Sequence, residues 1–366
     1  MTAYRLMDWE LRLAEGSAPR SLMVEVTSSC NYSCIHCFRF SSKSFKEYHM
    51  PLDLYKKLLD NAVRSGVRRI VFSGWGEPTT HPRIDELLAL AKQYGFYVVL
   101  NTNGFYLEKL AGRLVELGLE ELYVSIDAFE IELYSKIRRR GSLPAVVRGL
   151  RALDREKRAR DSIKPYVKAI FTVSKANVKH VSRAVEFAKE VGIAEIDYNM
   201  IIPYDDNTRA LDCLEDPLCL EELKKQLELA SLKVLESGVK VWKPNLSSRT
   251  TRLCPFAYNR MLFVRSDGKV SPCIYYSRSW VTIVGGVRRE ISEVLLGDVT
   301  ERDVSEIWRA NSRQLLMLQL LQLPSCLDCE LKDYCAATLS NTFDCWGNSP
   351  SCASCPYLHG LSFCPS

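Results

Sequence analysis

Several features that would place this chain at a membrane, outside the cell or on nucleic acid are missing. No uninterrupted apolar run approaches the roughly 18 residues that a membrane span needs. The opening residues, MTAYRLMDWELRLAEG, carry acidic side chains and lack the apolar segment of a signal peptide. The net charge of +5 is spread along the chain and forms no single basic block. We therefore expect a soluble, cytoplasmic protein with no membrane partner and no nucleic-acid partner.

Histidine is scarce and shows no metal-ligand spacing, whereas cysteine is abundant, with fourteen residues. A secreted disulfide scaffold would be short and loop-rich, but this chain has long amphipathic patterns. Clustered cysteines in a reducing compartment more often bind metal. Three cysteines lie within eight residues near the start and nine lie from Cys254 onward. Cys213 and Cys219 stand apart with no partners by spacing, and we expect them to be structural thiols.

Short β-branched runs alternate with longer helical patterns over the first two-thirds of the chain. The predicted strands are Met23–Thr27, Arg69–Ser73, Tyr97–Asn101, Leu122–Asp127, Tyr166–Val173 and Ile196–Ile202. The predicted helices between them are Leu52–Ser65, Arg83–Tyr94, Leu107–Leu117, Pro144–Asp154 and Val178–Val191. Such repeats predict an α/β fold whose parallel sheet is covered by helices and wound as an open or closed barrel. The chemistry of such barrels sits at the carboxyl ends of the strands.

The pattern changes after a last helix, Leu220–Glu236, and a strand-like segment, Val239–Trp242. We divide the chain into an N-terminal segment of residues 1–19, a barrel domain of residues 20–240 and a cysteine-rich domain of residues 246–366.

The cysteine-rich domain is predicted to open with a hairpin, Met261–Arg265 and Lys269–Ile274, and to continue with a helix, Val304–Leu321. The coil that follows has too few apolar residues to build a core, so bound metal would have to organise it.

Cys30, Cys34 and Cys37 follow the first predicted strand with the spacing C-x3-C-x2-C. Three thiolates spaced in this way reach three irons of one cubane cluster and leave the fourth iron without a protein ligand. A cluster that binds a substrate or a cofactor needs such an open iron, whereas a pure electron carrier would supply a fourth cysteine nearby. A zinc site or three buried thiols are the alternatives, and the position at the mouth of the first barrel strand argues against both.

From about Leu22 to Leu235 the sequence resembles the radical S-adenosylmethionine (SAM) superfamily. The resemblance implies a partial (β/α)6 barrel of the TIM type and a SAM-binding [4Fe–4S] cluster on the three cysteines. It places His36, inside the cysteine loop, near the adenine. The segment Ser-Gly-Trp-Gly-Glu-Pro, with Gly76 and Glu77, is similar to the family's Gly-Gly-Glu-Pro segment, which binds the methionine amino group. Trp75 is inserted between the glycines relative to the commonest form.

Three further segments carry the resemblance, and each follows a predicted strand. Asn103 lies in a turn similar to the family's Thr-Asn-Gly turn. Ser125 and Asp127 match its Ser-x-Asp, whose side chains meet the ribose and methionine parts of SAM. Arg138 matches an Ile-Arg-Gly region and is implied as the carboxylate partner. For the next two arginines, Arg139 and Arg140, a solvated basic turn is the alternative.

The implied reaction is reductive cleavage of SAM to a 5′-deoxyadenosyl radical, which abstracts hydrogen from a substrate. A low-potential donor such as ferredoxin or flavodoxin would supply the electron. The protein's part is to bind, orient and exclude water, while the cofactors carry the chemistry. We assign no catalytic acid or base; Tyr198, Asn199 and Asp205, at or just past the sixth strand, are more often second-layer or turn residues.

The later cysteines resemble the SPASM extension of radical SAM enzymes, which implies two auxiliary [4Fe–4S] clusters. By analogy Cys254 and Cys273 belong to the first cluster, and Cys326, Cys329 and Cys335 to the second. Leu339 stands where the family has its next cysteine. The remaining candidates are Cys345, Cys352, Cys355 and Cys364. How these four cysteines are divided between the two clusters is left open. Cys345 would join the first cluster if it replaces the missing cysteine. A zinc ribbon is the alternative for the whole set.

The closing stretch from Asp344 to Cys355 is similar to the tail of radical SAM maturases associated with tungsten-containing aldehyde ferredoxin oxidoreductases. It implies a peptide, a protein or a pterin-type cofactor as substrate. One alternative is a SPASM enzyme that forms thioether or carbon–carbon crosslinks in a ribosomal peptide. The short segment before the first strand is too small for a peptide-recognition domain and counts against it. The others are a GTP-cyclising enzyme and a non-enzymatic iron–sulfur carrier.

Overall fold

The computed structural model describes residues 3–6, 8–12, 17–42, 45–247, 254–311 and 323–363. Cys364 and the second half of the predicted helix Val304–Leu321 lie outside the described residues. Among the residues that are described, no helix is both long enough and apolar enough to cross a membrane.

The chain alternates strands and helices up to residue 242 and then becomes mostly strands and coil. The first part contains β1 (Ala3–Leu6), β2 (Trp9–Arg12), β3 (Ser21–Val24), α1 (Leu52–Arg64), β4 (Arg69–Phe72), α2 (Ile84–Gln93), β5 (Tyr97–Thr102), α3 (Leu107–Glu116), β6 (Glu121–Ser125), α4 (Ile131–Ile137), α5 (Leu143–Ala159), β7 (Tyr166–Val173), α6 (Arg183–Val191), β8 (Glu195–Met200), α7 (Asp206–Arg209), α8 (Pro217–Ser237) and β9 (Lys240–Trp242). The second part contains α9 (Pro255–Tyr258), β10 (Met261–Val264), β11 (Lys269–Ser271), β12 (Trp280–Val284), β13 (Val287–Ile291), β14 (Gly297–Asp298) and α10 (Val304–Ala310).

One sheet runs through both parts, in the order β14-β11-β10-β3-β4-β5-β6-β7-β8-β9. Strands β3 to β9 are parallel, and β10 also pairs in parallel with β3. The six predicted βα units are confirmed as the strands β3 to β8. The cysteine-rich part continues the barrel sheet through β10 and β11, and the limits of the three predicted domains stay a prediction.

Local sequence signals explain where the helices depart from prediction. The Asp216 carboxylate accepts hydrogen bonds from the amides of Leu218 and Cys219 at 3.0 and 3.2 Å, so α8 begins at Pro217 and not at Leu220. Helix α5 continues past Asp154 to Ala159. Ion pairs between residues four apart stabilise its last turns. One of them joins Asp154 and Arg158 at 2.9 Å.

Several short elements and one bond were not predicted. Among the described residues these elements are the hairpins β1–β2 and β12–β13, the strand β14 and the short helices α4, α7 and α9. Cys213 and Cys219 are joined by a disulfide across a separation of six residues, so the expectation of two unpartnered thiols is wrong. The tight turn between α7 and α8 brings the two side chains together, and spacing alone does not reveal that turn.

The buried Glu25 carboxylate joins the barrel to the cysteine-rich part. Glu25 follows β3, and Arg278 donates two hydrogen bonds to its carboxylate at 2.9 and 2.6 Å. The same carboxylate accepts from the Trp75 amide at 2.9 Å and from the Ser266 hydroxyl at 3.1 Å. A Cβ at position 74 would lie 2.5 Å from Cγ of Glu25, so only glycine fits there. The pair is fully desolvated, and its bidentate geometry satisfies both charges.

We predict that Arg278→Met lowers the free energy of unfolding by about 3–5 kcal/mol, because it leaves a buried carboxylate without its cation. Denaturant unfolding under anaerobic conditions measures the effect. The matched control is Arg64→Met, which removes an exposed ion pair with Asp303 at 3.5 Å between the same two parts of the chain. The control costs at most about 1 kcal/mol. Equal effects of the two substitutions would contradict the importance of the Glu25 pair.

Candidate active site

The three cysteines of the first motif face one cavity at the carboxyl ends of the barrel strands. Two backbone bonds fix their loop to the segment after α4: the Ser33 amide donates to the Arg139 carbonyl and the Ile35 amide to the Ile137 carbonyl, both at 2.9 Å. Burial raises the pKa of Cys30 to about 11 and that of Cys34 to about 12. A buried thiol of this kind loses its proton and becomes a thiolate ligand only when a metal ion such as iron balances the negative charge. The loop therefore fits an iron–sulfur cluster.

Glu77 lies at the back of the same cavity and organises the neighbouring turns. Its Oε1 accepts hydrogen bonds from the Thr79 amide and hydroxyl at 3.0 and 2.6 Å and from the Thr102 hydroxyl at 2.8 Å. Its Oε2 accepts the Asn103 amide at 2.6 Å, which is its one hydrogen bond among the described residues. Burial raises the pKa of Glu77, and the hydrogen bonds oppose that shift. Oε2 keeps a free lone pair, which suits an ammonium group of a ligand.

Gly76 permits close contact between the Glu77 turn and the loop that leads to Cys30. A Cβ at position 76 would lie 2.4 Å from the Thr27 carbonyl oxygen. The Glu77 amide donates to the Ser29 carbonyl at 2.8 Å across this contact. The glycine therefore sets the spacing between the two loops, and any side chain there would separate them.

Asn103 and Ser125, after β5 and at the end of β6, also line the cavity. The Asn103 side chain donates to Oδ1 of Asn31 at 2.8 Å and accepts from the Phe105 amide at 3.0 Å, so its amide orientation is fixed.

Asp127, Arg138 and His36 form a buried group under one wall of the cavity. The Asp127 carboxylate is fully buried and lies 2.7 Å from Nε of Arg138 and 3.7 Å from Nε2 of His36. Its other oxygen accepts the Thr172 amide at 2.8 Å. Arg138 and His36 line the cavity, whereas Asp127 lies behind them. Burial lowers the pKa of His36 to about 4, so the ring is neutral.

Arg139 and Arg140 are exposed, as the solvated-turn interpretation of that arginine run expects.

The cavity has a volume of about 290 Å³ and contains residues that the motifs did not indicate. Alternate residues of β8, Asp197 and Asn199, point into it, while the Tyr198 hydroxyl donates outward to the Val181 carbonyl at 2.6 Å. Burial raises the pKa of Asp197 to about 7. Asp205 caps α7 instead. The two-residue period of β8 is the signal that identifies Asp197.

Residues of the cysteine-rich part close the cavity from the other side; they are Ile274, Tyr357, Ser362 and Phe363. The inserted Trp75 contacts this part directly. Its indole nitrogen donates to the Ser277 hydroxyl at 2.9 Å. Its ring packs edge-on against Phe38, with 4.7 Å between the ring centroids. The insertion in the glycine motif therefore serves contact between the two parts of the chain.

The later cysteines fall into two sets. Cys254, Cys273, Cys352 and Cys355 line one small cavity, about 30 Å³ in volume, beneath Tyr275. This cavity shares Ile274 and Tyr357 with the main cavity. Burial raises the pKa of Cys355 to about 12 and that of Cys254 above its ordinary value. The structure thus places a C-x2-C pair near the chain's end beside the two cysteines expected in the first cluster.

The second set lies on the far side of Tyr275. Cys326 lines a neighbouring cavity, and burial, with a further contribution from the nearby Cys345, raises the pKa of its thiol to about 11. Cys345 therefore lies within electrostatic range of Cys326. Cys329 and Cys335 follow Cys326 in the same coil, where the Lys332 amide donates to the Cys329 carbonyl at 3.1 Å.

Within the described ranges, no three His, Cys, Asp or Glu side chains converge on the position of a single metal ion.

Comparisons with known proteins agree with this geometry. A profile of the Radical SAM superfamily matches residues 24–160, and a profile of SPASM, an iron-sulfur cluster-binding domain, matches residues 254–330. The chain is 27% identical over 352 residues to a Pyrococcus furiosus protein named "tungsten-containing aldehyde ferredoxin oxidoreductase cofactor-modifying protein", covering 94% of this chain and 96% of that one. It is 26% identical to the AdoMet-dependent heme synthase of Methanosarcina barkeri, covering 92% and 95% of the two chains.

Among solved structures, SuiB of Streptococcus suis bound to S-adenosylmethionine superposes with a TM-score of 0.63 at 16% identity, over 88% of this chain and 73% of that one. At this identity the likeness concerns the fold.

A partial α/β barrel with cysteine motifs at its mouth defines an iron–sulfur enzyme of the SAM-cleaving class. The chain contains a radical SAM domain, matched over residues 24–160, and a SPASM domain, matched over residues 254–330. Its cofactors are [4Fe–4S] clusters and SAM, and an enzyme of this family requires a reductant.

We predict that replacing Cys30, Cys34 and Cys37 together by alanine removes about four irons per chain and abolishes SAM cleavage. Iron and sulfide analysis of anaerobically reconstituted protein measures the loss. The double replacement of Cys213 and Cys219 by serine is the control and keeps the iron content of the wild type. Unchanged iron in the triple variant would disprove this ligand assignment.

We predict that Arg138→Ala weakens SAM binding about 10- to 100-fold, because a charge-assisted hydrogen bond contributes about 1.5–3 kcal/mol. Calorimetry on reconstituted protein measures the affinity. Arg139→Ala changes an exposed neighbour and leaves the affinity unchanged. Equal affinities for the two variants would show that Arg138 does not contact SAM.

Proposed function

We propose that this enzyme modifies the pterin-type cofactor of a tungsten-dependent oxidoreductase, with its electron drawn from a low-potential ferredoxin or flavodoxin. The similarity to the Pyrococcus furiosus protein supports this substrate because it extends over nearly all of both chains. The tail from Asp344 to Cys355 supports the same substrate, because it is similar to the tail of maturases associated with such oxidoreductases. It supplies Cys352 and Cys355 to the first cysteine set.

The observation that carries the proposal is that one cavity is lined by the cysteine motif, by the Glu77 turn and by residues of the cysteine-rich part, among them Tyr357 and Phe363. When bound, the cluster and SAM supply a 5′-deoxyadenosyl radical for hydrogen abstraction. Cys30, Cys34 and Cys37 would hold that cluster. Glu77 would bind the SAM ammonium group through Oε2, and Arg138 would bind the carboxylate.

The buried group behind the wall has a positioning role in this proposal. Asp127 lies 2.7 Å from Nε of Arg138, and this ion pair holds the guanidinium at the wall of the cavity, where Nη1 donates to Sγ of Cys34 at 3.9 Å. His36 stays neutral beside it and offers a flat, uncharged surface to the adenine. Gly76, Asn103 and Ser125 would complete the contacts with SAM. Asp127 would then act on SAM through Arg138 and not by touching the ribose.

The substrate would bind against the polar floor formed by Asp197 and Asn199 and under the wall of Tyr357 and Phe363. The Phe363 amide donates to Oδ1 of Asn199 at 2.6 Å, which joins the wall to the floor. A volume of about 290 Å³ is at the lower end of ligand pockets. Because the cluster and SAM would occupy part of this cavity, only a small group of the substrate would reach the site.

We propose that Cys254, Cys273, Cys352 and Cys355 ligate one auxiliary cluster and that Cys326, Cys329, Cys335 and Cys345 ligate the other. Cys364 would then be the one cysteine of the nine without a cluster. The shared cavity supports the first assignment, and the Cys326–Cys345 interaction supports the second.

The function is tested by incubating the anaerobically reconstituted enzyme, SAM and dithionite with three probes. They are a tungsten oxidoreductase holding its cofactor, the same protein freed of cofactor, and the isolated pterin cofactor. We expect 5′-deoxyadenosine to rise only when the pterin is present, with a mass change in the pterin and none in the polypeptide. Stimulation by the cofactor-free protein, with a mass change in a peptide, would contradict the proposal and favour peptide modification.

A further inference from the structure

The small cavity on the far side of Tyr275 contains a buried cation. Arg289, on β13, is 1% exposed. It lines that cavity together with Cys326 of the second set and Cys355 of the first set. A guanidinium at this position is removed from water and shares a small cavity with one cysteine of each set.

The hydrogen bonds of Arg289 are only partly satisfied. Its Nη1 donates to the carbonyls of Val284 and Val287, the latter at 2.9 Å. Within the part of the chain that the structure describes, Nε and Nη2 have no hydrogen-bond partner although both are buried. Burial lowers the pKa of Arg289, and the anionic groups that oppose this shift are Tyr275, Cys326 and Asp333. Tyr275 titrates far above neutral pH and Asp333 is exposed. A neutral Tyr275 and a solvated Asp333 compensate the cation little.

A buried arginine without a buried anion is costly, at several kcal/mol for an unpaired ion. Arginine stays protonated in proteins, so it cannot avoid the cost by losing its proton. Clusters with four thiolate ligands each are net anions, and here one would lie on either side of the guanidinium. The bound clusters would therefore supply the negative charge that the polypeptide does not.

We propose that Arg289 is the internal counter-ion of the two auxiliary clusters and raises their reduction potentials. This inference rests on the auxiliary clusters proposed above. Because the potential of such clusters depends on nearby charge and on hydrogen bonds to the sulfurs, a fixed cation favours the reduced form. With one cluster beside the main cavity and one beyond Tyr275, the same cation acts on both.

The test is an EPR-monitored redox titration of the full-length, anaerobically reconstituted protein in three variants: Arg289→Gln, Arg289→Lys and Arg288→Gln. Arg288 precedes Arg289 on the same strand and is exposed, so Arg288→Gln makes the same change of charge in water. We expect Arg289→Gln to disfavour reduction of an auxiliary cluster at least tenfold, a shift of about 59 mV to lower potential for one electron. Arg289→Lys keeps the charge and stays near the wild type, as does Arg288→Gln.

Iron content separates the possible failures. If wild-type protein holds about four irons, the auxiliary clusters themselves are absent and the proposed function's cluster assignment fails. If Arg289→Gln holds about twelve irons and has wild-type potentials, the counter-ion role is overturned. Loss of iron from Arg289→Gln but not from Arg289→Lys supports the role, because only the charge separates the two outcomes. Loss of iron from both Arg289→Gln and Arg289→Lys would overturn the proposal. It would show that Arg289 acts through its hydrogen bonds to the carbonyls of Val284 and Val287.

Discussion

The arrangement of the active site depends on one buried ion pair, Glu25 with Arg278. Glu25 directly follows the first barrel strand, five residues before Cys30, and its carboxylate accepts hydrogen bonds from the Trp75 amide and the Ser266 hydroxyl as well as from Arg278. The cysteine loop, the glycine turn and the SPASM hairpin therefore share one electrostatic anchor. The carboxylate is buried and cannot be hydrated, so moving any of these three parts would leave its charge without compensation. The two domains are thus held in a fixed relation across the cavity.

This rigid relation bears on the purpose of the auxiliary cysteines. Ile274 and Tyr357 line both the main cavity and the cavity of the first set. Four cysteine ligands would leave no open iron in a cluster at that place. Such a cluster would be suited to exchanging electrons with the cavity and not to binding a substrate atom. With a second cluster beyond Tyr275, it would form a path along which an electron could leave or enter.

The sequence predicted the barrel and most of the residues around its mouth. This succeeded because the carboxyl ends of parallel strands meet at one edge of a sheet, so motifs that follow β3 to β6 must lie together. Gly76, Glu77, Asn103, Ser125 and Arg138 all meet there. Trp75 looked like an irregularity in the glycine motif, because its partner Ser277 is about two hundred residues away in the sequence and no periodic pattern connects the two.

The features that escaped prediction depend on tertiary contacts of this kind. Asp127 matched a family motif for direct contact with SAM, yet the structure pairs it with Arg138 behind the wall, a contact that spacing does not reveal. The sharing of the last cysteines was undetermined because irregular coil, not a repeating element, brings Cys352 and Cys355 to Cys254. In the sequence, Arg289 and Arg288 are two adjacent arginines of one strand. Only the structure shows that Arg289 is buried and Arg288 is exposed.

The most direct test of the cluster assignment is the iron and acid-labile sulfide content of the wild-type protein after anaerobic reconstitution, with 5′-deoxyadenosine assayed after dithionite and SAM are added. We predict about twelve irons per chain and formation of 5′-deoxyadenosine, as one SAM-binding and two auxiliary cubanes require. About four irons together with bound zinc would keep the barrel chemistry and contradict the assignment of every cysteine from Cys254 onward.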